Sequence, residues 1–222
     1  MDTSALTCNT DDMFVIHRLL RRVFTDAPVL VRGVAEGDVP RATIVADHVS
    51  EIADGLHGHH HTEDDLLWDK LESRSPGCAL HVGQMRAQHA EATALITDLR
   101  EVLPAWRAGA SAADRERAAA VLDELLATLL RHLGQEEDQI LPIAQVSMTQ
   151  AEWDVLGEHG RASVPRDRQF IQLGMMLDAF DDPAERQAWM RANLPVPARV
   201  LFSLVGRRQF EAHRAKVYGL AG

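Results

Sequence analysis

Residues 45–68 read VADHVSEIADGLHGHHHTEDDLLW, and this stretch decides the fold. Its apolar residues Val45, Val49, Ile52 and Leu56 fall three or four apart, the repeat of one face of an α-helix. The same line runs on into His59 and Glu63 before Leu66 and Leu67 resume it. A histidine and a glutamate therefore occupy core-facing positions one turn apart. Side chains at that spacing lie roughly 5–6 Å apart and can reach one metal ion. Residues 122–142, LDELLATLLRHLGQEEDQILP, repeat the arrangement. Leu122, Leu125 and Leu129 lead into His132 and Glu136, and Ile140 and Ile143 follow.

Two further apolar stripes each carry one histidine. His17 stands between Met13 and Leu20, on a line that continues to Phe24. His89 lies on the line Val82, Met85, Ala92, Ile96, Leu99 and Leu103. Helices are predicted from Thr10, from about Pro40 to Leu71, from about Cys78 to Ala108, and from Ser111 to about Ile143. Pro28 is expected to bend or interrupt the first, Pro104 to kink the third, and Pro142 to end the fourth. Ser111 with Asp114 resembles a capping box, as does Thr149 with Glu152. Short links make neighbouring helices antiparallel, so the expected fold is all-α, an up-down-up-down four-helix bundle over residues 10–145. Residues 146–222 read as a helical C-terminal extension. Short helices are expected over 168–180 and 184–193, a break at Pro195 and Pro197, and a last helix with Val200, Leu201, Leu204 and Phe210. The extension is expected to pack on the bundle or to form a subunit interface, as in a homodimer.

Composition narrows the function. The 222 residues carry 23 Lys and Arg against 33 Asp and Glu, a formal charge of −10. Nucleic-acid and anionic-membrane partners, which need clustered cations, are excluded on that balance. No apolar run reaches the length of a membrane span. Met1–Asp12 is polar and acidic, unlike a secretory signal, and Cys8 and Cys78 form no framework, so a cytoplasmic setting is expected. No P-loop, Rossmann glycine pattern or nucleophile motif is present. The unusual count is histidine, 11 in all.

A single core histidine is ordinarily just hydrogen-bonded, and one H-x-x-x-E is common on exposed helices. The force lies in the conjunction of His17, His59, Glu63, His89, His132 and Glu136 on four apolar stripes. Buried carboxylates cost several kcal/mol each unless compensated. A pair of divalent cations compensates both, and imidazole with carboxylate suits Fe, Mn or Zn. His60, three before Glu63, could replace or assist His59. His57 and His61 sit off the stripe and read as solvated. His48, His81, His159 and His213 read as structural or exposed. Asp64-Asp65 and Glu137-Asp138 read as solvated faces or as partners standing behind the ligands.

His17, the run HHHTEDDLLW at 59–68, His89, and HLGQEEDQILP at 132–142 together resemble the hemerythrin-like family, the HHE cation-binding domains, over roughly residues 10–145. The trailing segment resembles the C-terminal extension of bacterial, notably actinobacterial, members. The resemblance implies a non-haem di-iron centre, oxo- or hydroxo-bridged, held by His17, His59, Glu63, His89, His132 and Glu136. Mn or Zn could replace iron on such ligands. Oxygen-carrying hemerythrins have two histidines one turn apart on the third helix, where this chain has Met85 before His89. Their fourth-helix acid is Asp at a longer spacing, where this chain has Glu136. A set one ligand short fits a protein that binds or reacts with O₂ or peroxide, or senses redox state, at least as well as a simple oxygen carrier. A redox or nitric-oxide sensor without turnover is the alternative, and an oxygenase with a small organic substrate a third reading.

Overall fold

The computed structural model describes residues 6–219 and is all-helical over them. The opening stretch read as polar and acidic lies partly outside the described residues. Four long helices dominate: α1 (Asp11–Arg32), α2 (Val39–Leu66), α4 (Ala79–Gly109) and α5 (Ala112–Gln139). Helix α1 packs on α2 and α5, and α4 packs on the same two, which closes a four-helix bundle with antiparallel neighbours. No helix among the described residues is long and apolar enough to cross a membrane.

The buried stripes are those of the periodicity. Val45, Val49, Ile52 and Leu56 of α2 face Val82, Met85, Ile96 and Leu99 of α4 and Leu122, Leu125 and Leu129 of α5 in the core. Pro28 does not interrupt α1, which runs on to Arg32, and Pro104 lies inside a continuous α4. Each removes one backbone hydrogen bond. At Pro28 the buried Ala27, Pro28 and Val31 hold the last turns of α1 against the bundle. In α4 the buried Leu103 and Trp106 do the same.

The far ends of α2 and α5 depart from the predicted single helices. Helix α2 stops at Leu66, and a seven-residue α3 (Trp68–Arg74) follows one residue later. Helix α5 stops at Gln139, and a seven-residue α6 (Leu141–Ser147) follows. The two breaks match. Leu67 (φ −108°, ψ −55°) and Ile140 (φ −103°, ψ −50°) each donate a backbone N–H to the carbonyl of Glu63 and Glu136 respectively. Pro142 does not end α5 but sits in the first turn of α6, where a missing N–H costs nothing. A short 3₁₀ turn (Pro76–Cys78) then leads into α4.

Helix α7 (Gln150–Ser163) belongs to the same compact unit as the bundle, and the division falls after Ser163. Its capping box forms as predicted. Glu152 accepts the Thr149 N–H at 3.0 Å, and Thr149 Oγ1 accepts the Glu152 N–H at 3.3 Å. Glu152 also takes two bonds from the Arg74 guanidinium, at 2.7 and 2.6 Å.

The second unit, after Ser163, is itself helical: α8 (Gln169–Asp178), α9 (Pro183–Asn193), α10 (Val196–Leu201) and α11 (Arg207–Tyr218). A π-helical turn, Phe202–Gly206, joins the last two. Pro197 does not break the chain but lies in the first turn of α10. Helix α11 packs on α8 through Phe210 and Gly174, where any Cβ would come within 2.3 Å of the Phe210 ring.

The Glu152 cap ties α3 to α7 and supports a prediction. Glu152→Gln lowers stability by about 1 kcal/mol, read from the urea midpoint. The Arg74 bonds hold the Glu152 carboxyl at about 2, below its ordinary value. The contribution is therefore complete above the ordinary carboxylate range and is lost as pH falls towards about 2. The gap between wild type and variant narrows over that interval.

Candidate metal centre

All the ligand-type side chains of the sequence stripes converge at one end of the bundle. They come from the first half of α1, the last turns of α2, the first half of α4 and the last turns of α5. They form two adjoining groups. His17, His59, Glu63 and Glu136 make one, and His60, His89 and His132 make the other. Within each group the donor atoms lie within 4.8 Å of one another. The six residues singled out in the sequence are thus brought together, and His60 joins them as a seventh. His59 falls in the first group and His60 in the second, so both adjacent rings reach the site.

The carboxylates lie between the groups. Glu63 directs Oε1 to His59 Nε2 at 3.2 Å and Oε2 to His89 Nε2 at 3.4 Å. Glu136 Oε2 lies 3.3 Å from His17 Nε2 and 3.6 Å from His132 Nε2. Both carboxylates therefore touch both histidine groups.

Beyond these carboxylate–imidazole approaches, most of the donor atoms have no hydrogen-bond partner. His17 Nε2, His59 Nε2, both ring nitrogens of His60 and all four oxygens of Glu63 and Glu136 are buried without a hydrogen bond. His89 Nε2 and His132 Nε2 face each other at 3.3 Å. Orphaned lone pairs at this density in an apolar core are costly. Cations would satisfy them together, so this donor set fits a pair of metal ions.

Electrostatics agree. Burial and the neighbouring Glu136 raise the Glu63 carboxyl above its ordinary range, because two adjacent anions are not tolerated there without positive charge. Burial lowers His59 to about 3 and His132 to about 4, and it pushes His60 well below its ordinary value. These rings are neutral, as ligands must be. Burial acts the same way on His17 and His89, but adjacent carboxylates outweigh it and hold each at about 9.

A second set of residues fixes the rings. Glu137 Oε1 meets His17 Nδ1 at 2.9 Å and is itself clamped by Arg21 at 2.6 and 2.8 Å. Asp64 Oδ1 meets His89 Nδ1 at 2.8 Å. Gln88 Oε1 meets His132 Nδ1 at 3.2 Å, and Gln88 donates to Gln135 at 2.6 Å. Each acceptor takes the hydrogen bond of the Nδ1 proton and turns Nε2 toward the centre, where a bound cation would displace the second proton that His17 and His89 hold in its absence. The sequence offered Asp64 and Glu137 as solvated faces or as partners behind the ligands, and the structure places them behind His89 and His17. Gln88 and Arg21 carried no signal, because their partners lie on other helices. His57 is half-buried and His61 exposed, and neither joins the groups.

The chain matches the model of the hemerythrin HHE cation binding domain over residues 9–144, more than half its length, and belongs to that family. No curated protein and no solved structure matches it.

Two outcomes follow for metal retention. His60→Ala loses bound metal as fully as His59→Ala, while His57→Ala and His61→Ala retain it, measured by elemental analysis after gel filtration. Glu137→Gln keeps the hydrogen-bond acceptor but loses the charge behind His17, and it weakens metal affinity about 10–100-fold in a chelator competition.

Proposed function

We propose that this protein holds a non-haem di-iron centre that reacts with O₂ or peroxide. The observation that supports the reading most is the division of the donors. Three imidazoles, His60, His89 and His132, face one position, two, His17 and His59, face the other, and Glu63 and Glu136 lie between. Two positions with unequal donor counts leave the His17–His59 side less saturated, and a small ligand would enter there.

Bound there, an iron pair would supply one-electron steps between ferrous and ferric states and an open coordination position for a dioxygen species. The chain's own residues do the rest. Glu63 and Glu136, lying between the histidine groups, would help hold the pair and offset part of its positive charge. Asp64, Glu137 and Gln88 keep the Nδ1 protons of His89, His17 and His132 away from the centre. Leu20, Leu56 and Leu129 are buried one helical turn from His17, His59 and His132. On the ligand-bearing faces they exclude water, which protects the centre from uncontrolled oxidation.

The seventh donor bears on the choice of activity. With His60 included, the chain offers five imidazoles and two carboxylates, so reactivity does not depend on a missing ligand. It depends on the unequal division between the two positions.

The test uses untagged full-length protein from iron-supplemented cells. Elemental analysis is expected to give about two irons per chain. The loaded protein is expected to consume peroxide or O₂ over many turnovers. Full iron with no consumption of either would reject the reactive role and leave an iron-holding or sensing one. Less metal than that, removed by mild chelation, would reject the centre itself.

A further inference from the structure

Behind the candidate centre lies a connection that ligand binding does not require. Asp64 Oδ1 accepts two hydrogen bonds at once. One comes from the ring N–H of His89 at 2.8 Å, the other from the indole Nε1–H of Trp68 at 2.7 Å. Trp68 lies one turn after Asp64, across the break at Leu67, and is fully buried. Its ring also packs against the His89 ring, with centroids 5.6 Å apart. A ligand imidazole, one carboxylate oxygen and an indole therefore form an unbroken hydrogen-bonded path from the metal position.

We infer that Trp68 is a one-electron donor to the metal centre through Asp64 and His89, a role that rests on the di-iron reading. Hydrogen peroxide, going to two waters, takes up two electrons and two protons. An iron pair in the mixed Fe(II)Fe(III) state gives one electron and ends as Fe(III)Fe(III). Trp68 gives the second electron, and its Nε1 proton passes to Asp64 Oδ1. The two protons used by peroxide come from solvent. The balance leaves a neutral indolyl radical on Trp68 and a protonated Asp64.

The surroundings suit that step. A cationic indole radical would be costly in a dry core, and the proton acceptor already on Nε1 makes the product neutral. Asp64 is partly exposed, so its proton can exchange with solvent. The apolar cluster around Trp68 contains Met13, Met85, Met148, Cys78 and Trp153, with Cys8 at its edge. Trp153 makes a useful contrast, because its Nε1 bonds to Asp12 rather than to a carboxylate shared with a ligand.

The experiment uses the full chain loaded with excess iron, poised at mixed valence, mixed with hydrogen peroxide and freeze-quenched for electron paramagnetic resonance. Iron per chain is measured on the same samples. Wild type is expected to give an organic-radical signal that narrows when its tryptophans are ring-deuterated. Trp153→Phe keeps the signal, and Trp68→Phe loses it with iron retained. Asp64→Asn, which leaves the indole in place but cannot take its proton, also loses it. Iron-loaded wild type without the signal, or Trp68→Phe with the signal undiminished, overturns the inference and leaves the centre standing. A wild-type chain that takes up no iron overturns both.

Discussion

The structure depends on one constraint: two carboxylates and five imidazoles are placed at the end of an apolar helical bundle with no protein partner for most of their inward atoms. Glu63 and Glu136 have almost no exposure, at 1% and 0%, so water cannot serve them. Each would be strongly destabilising alone. Together with the rings they make sense as a cation cage, in which the cost of burying each group is offset by the shared charge at the centre. The rest of the core is largely apolar, mostly aliphatic with Phe24, Trp68 and Trp106 among its largest side chains. Leu, Val and Ala side chains keep the site dry and carry no competing donors.

The two carboxylate-bearing helices are built alike. Each presents histidine, then glutamate one turn on, then breaks four residues after the glutamate and restarts as a seven-residue helix. After the breaks α3 and α6 pack on each other, and Trp68, Leu71, Leu141 and Ala144 join one apolar cluster. That cluster closes the end next to the metal position. Site and closure thus arise from the same local pattern, used twice, with Leu67 and Ile140 at equivalent bends.

Around the inward-facing atoms lies a shell that handles protons. Glu137, Asp64 and Gln88 each hold a ring by Nδ1, and two of the three are charged. One carboxylate stands behind each of the two donor groups, through His17 in one and His89 in the other. A carboxylate behind an imidazole makes the ring a stronger donor and favours the higher oxidation state of the metal it binds. The two positions are nevertheless unequal, since only the Asp64 side continues to an oxidisable indole.

Much of this was written in the sequence. Apolar spacing alone set four helices, and helical geometry placed His17, His59, Glu63, His89, His132 and Glu136 on their inner faces, because a 3.6-residue period fixes which positions share a face. The same period could not place His60. Adjacent residues on a helix point about 100° apart, so whether one or both reach the core depends on how the helix is rotated against its neighbours. Tertiary packing resolved this by setting two groups side by side, with His59 facing one and His60 the other. It likewise chose Gln88 for His132 and Arg21 for Glu137, contacts between helices that no spacing within one helix encodes. It carried α1 through Pro28 because burial of the flanking side chains outweighs one lost backbone bond. Periodicity along a chain reports which face is buried, while the partner across that face is decided only when the helices meet.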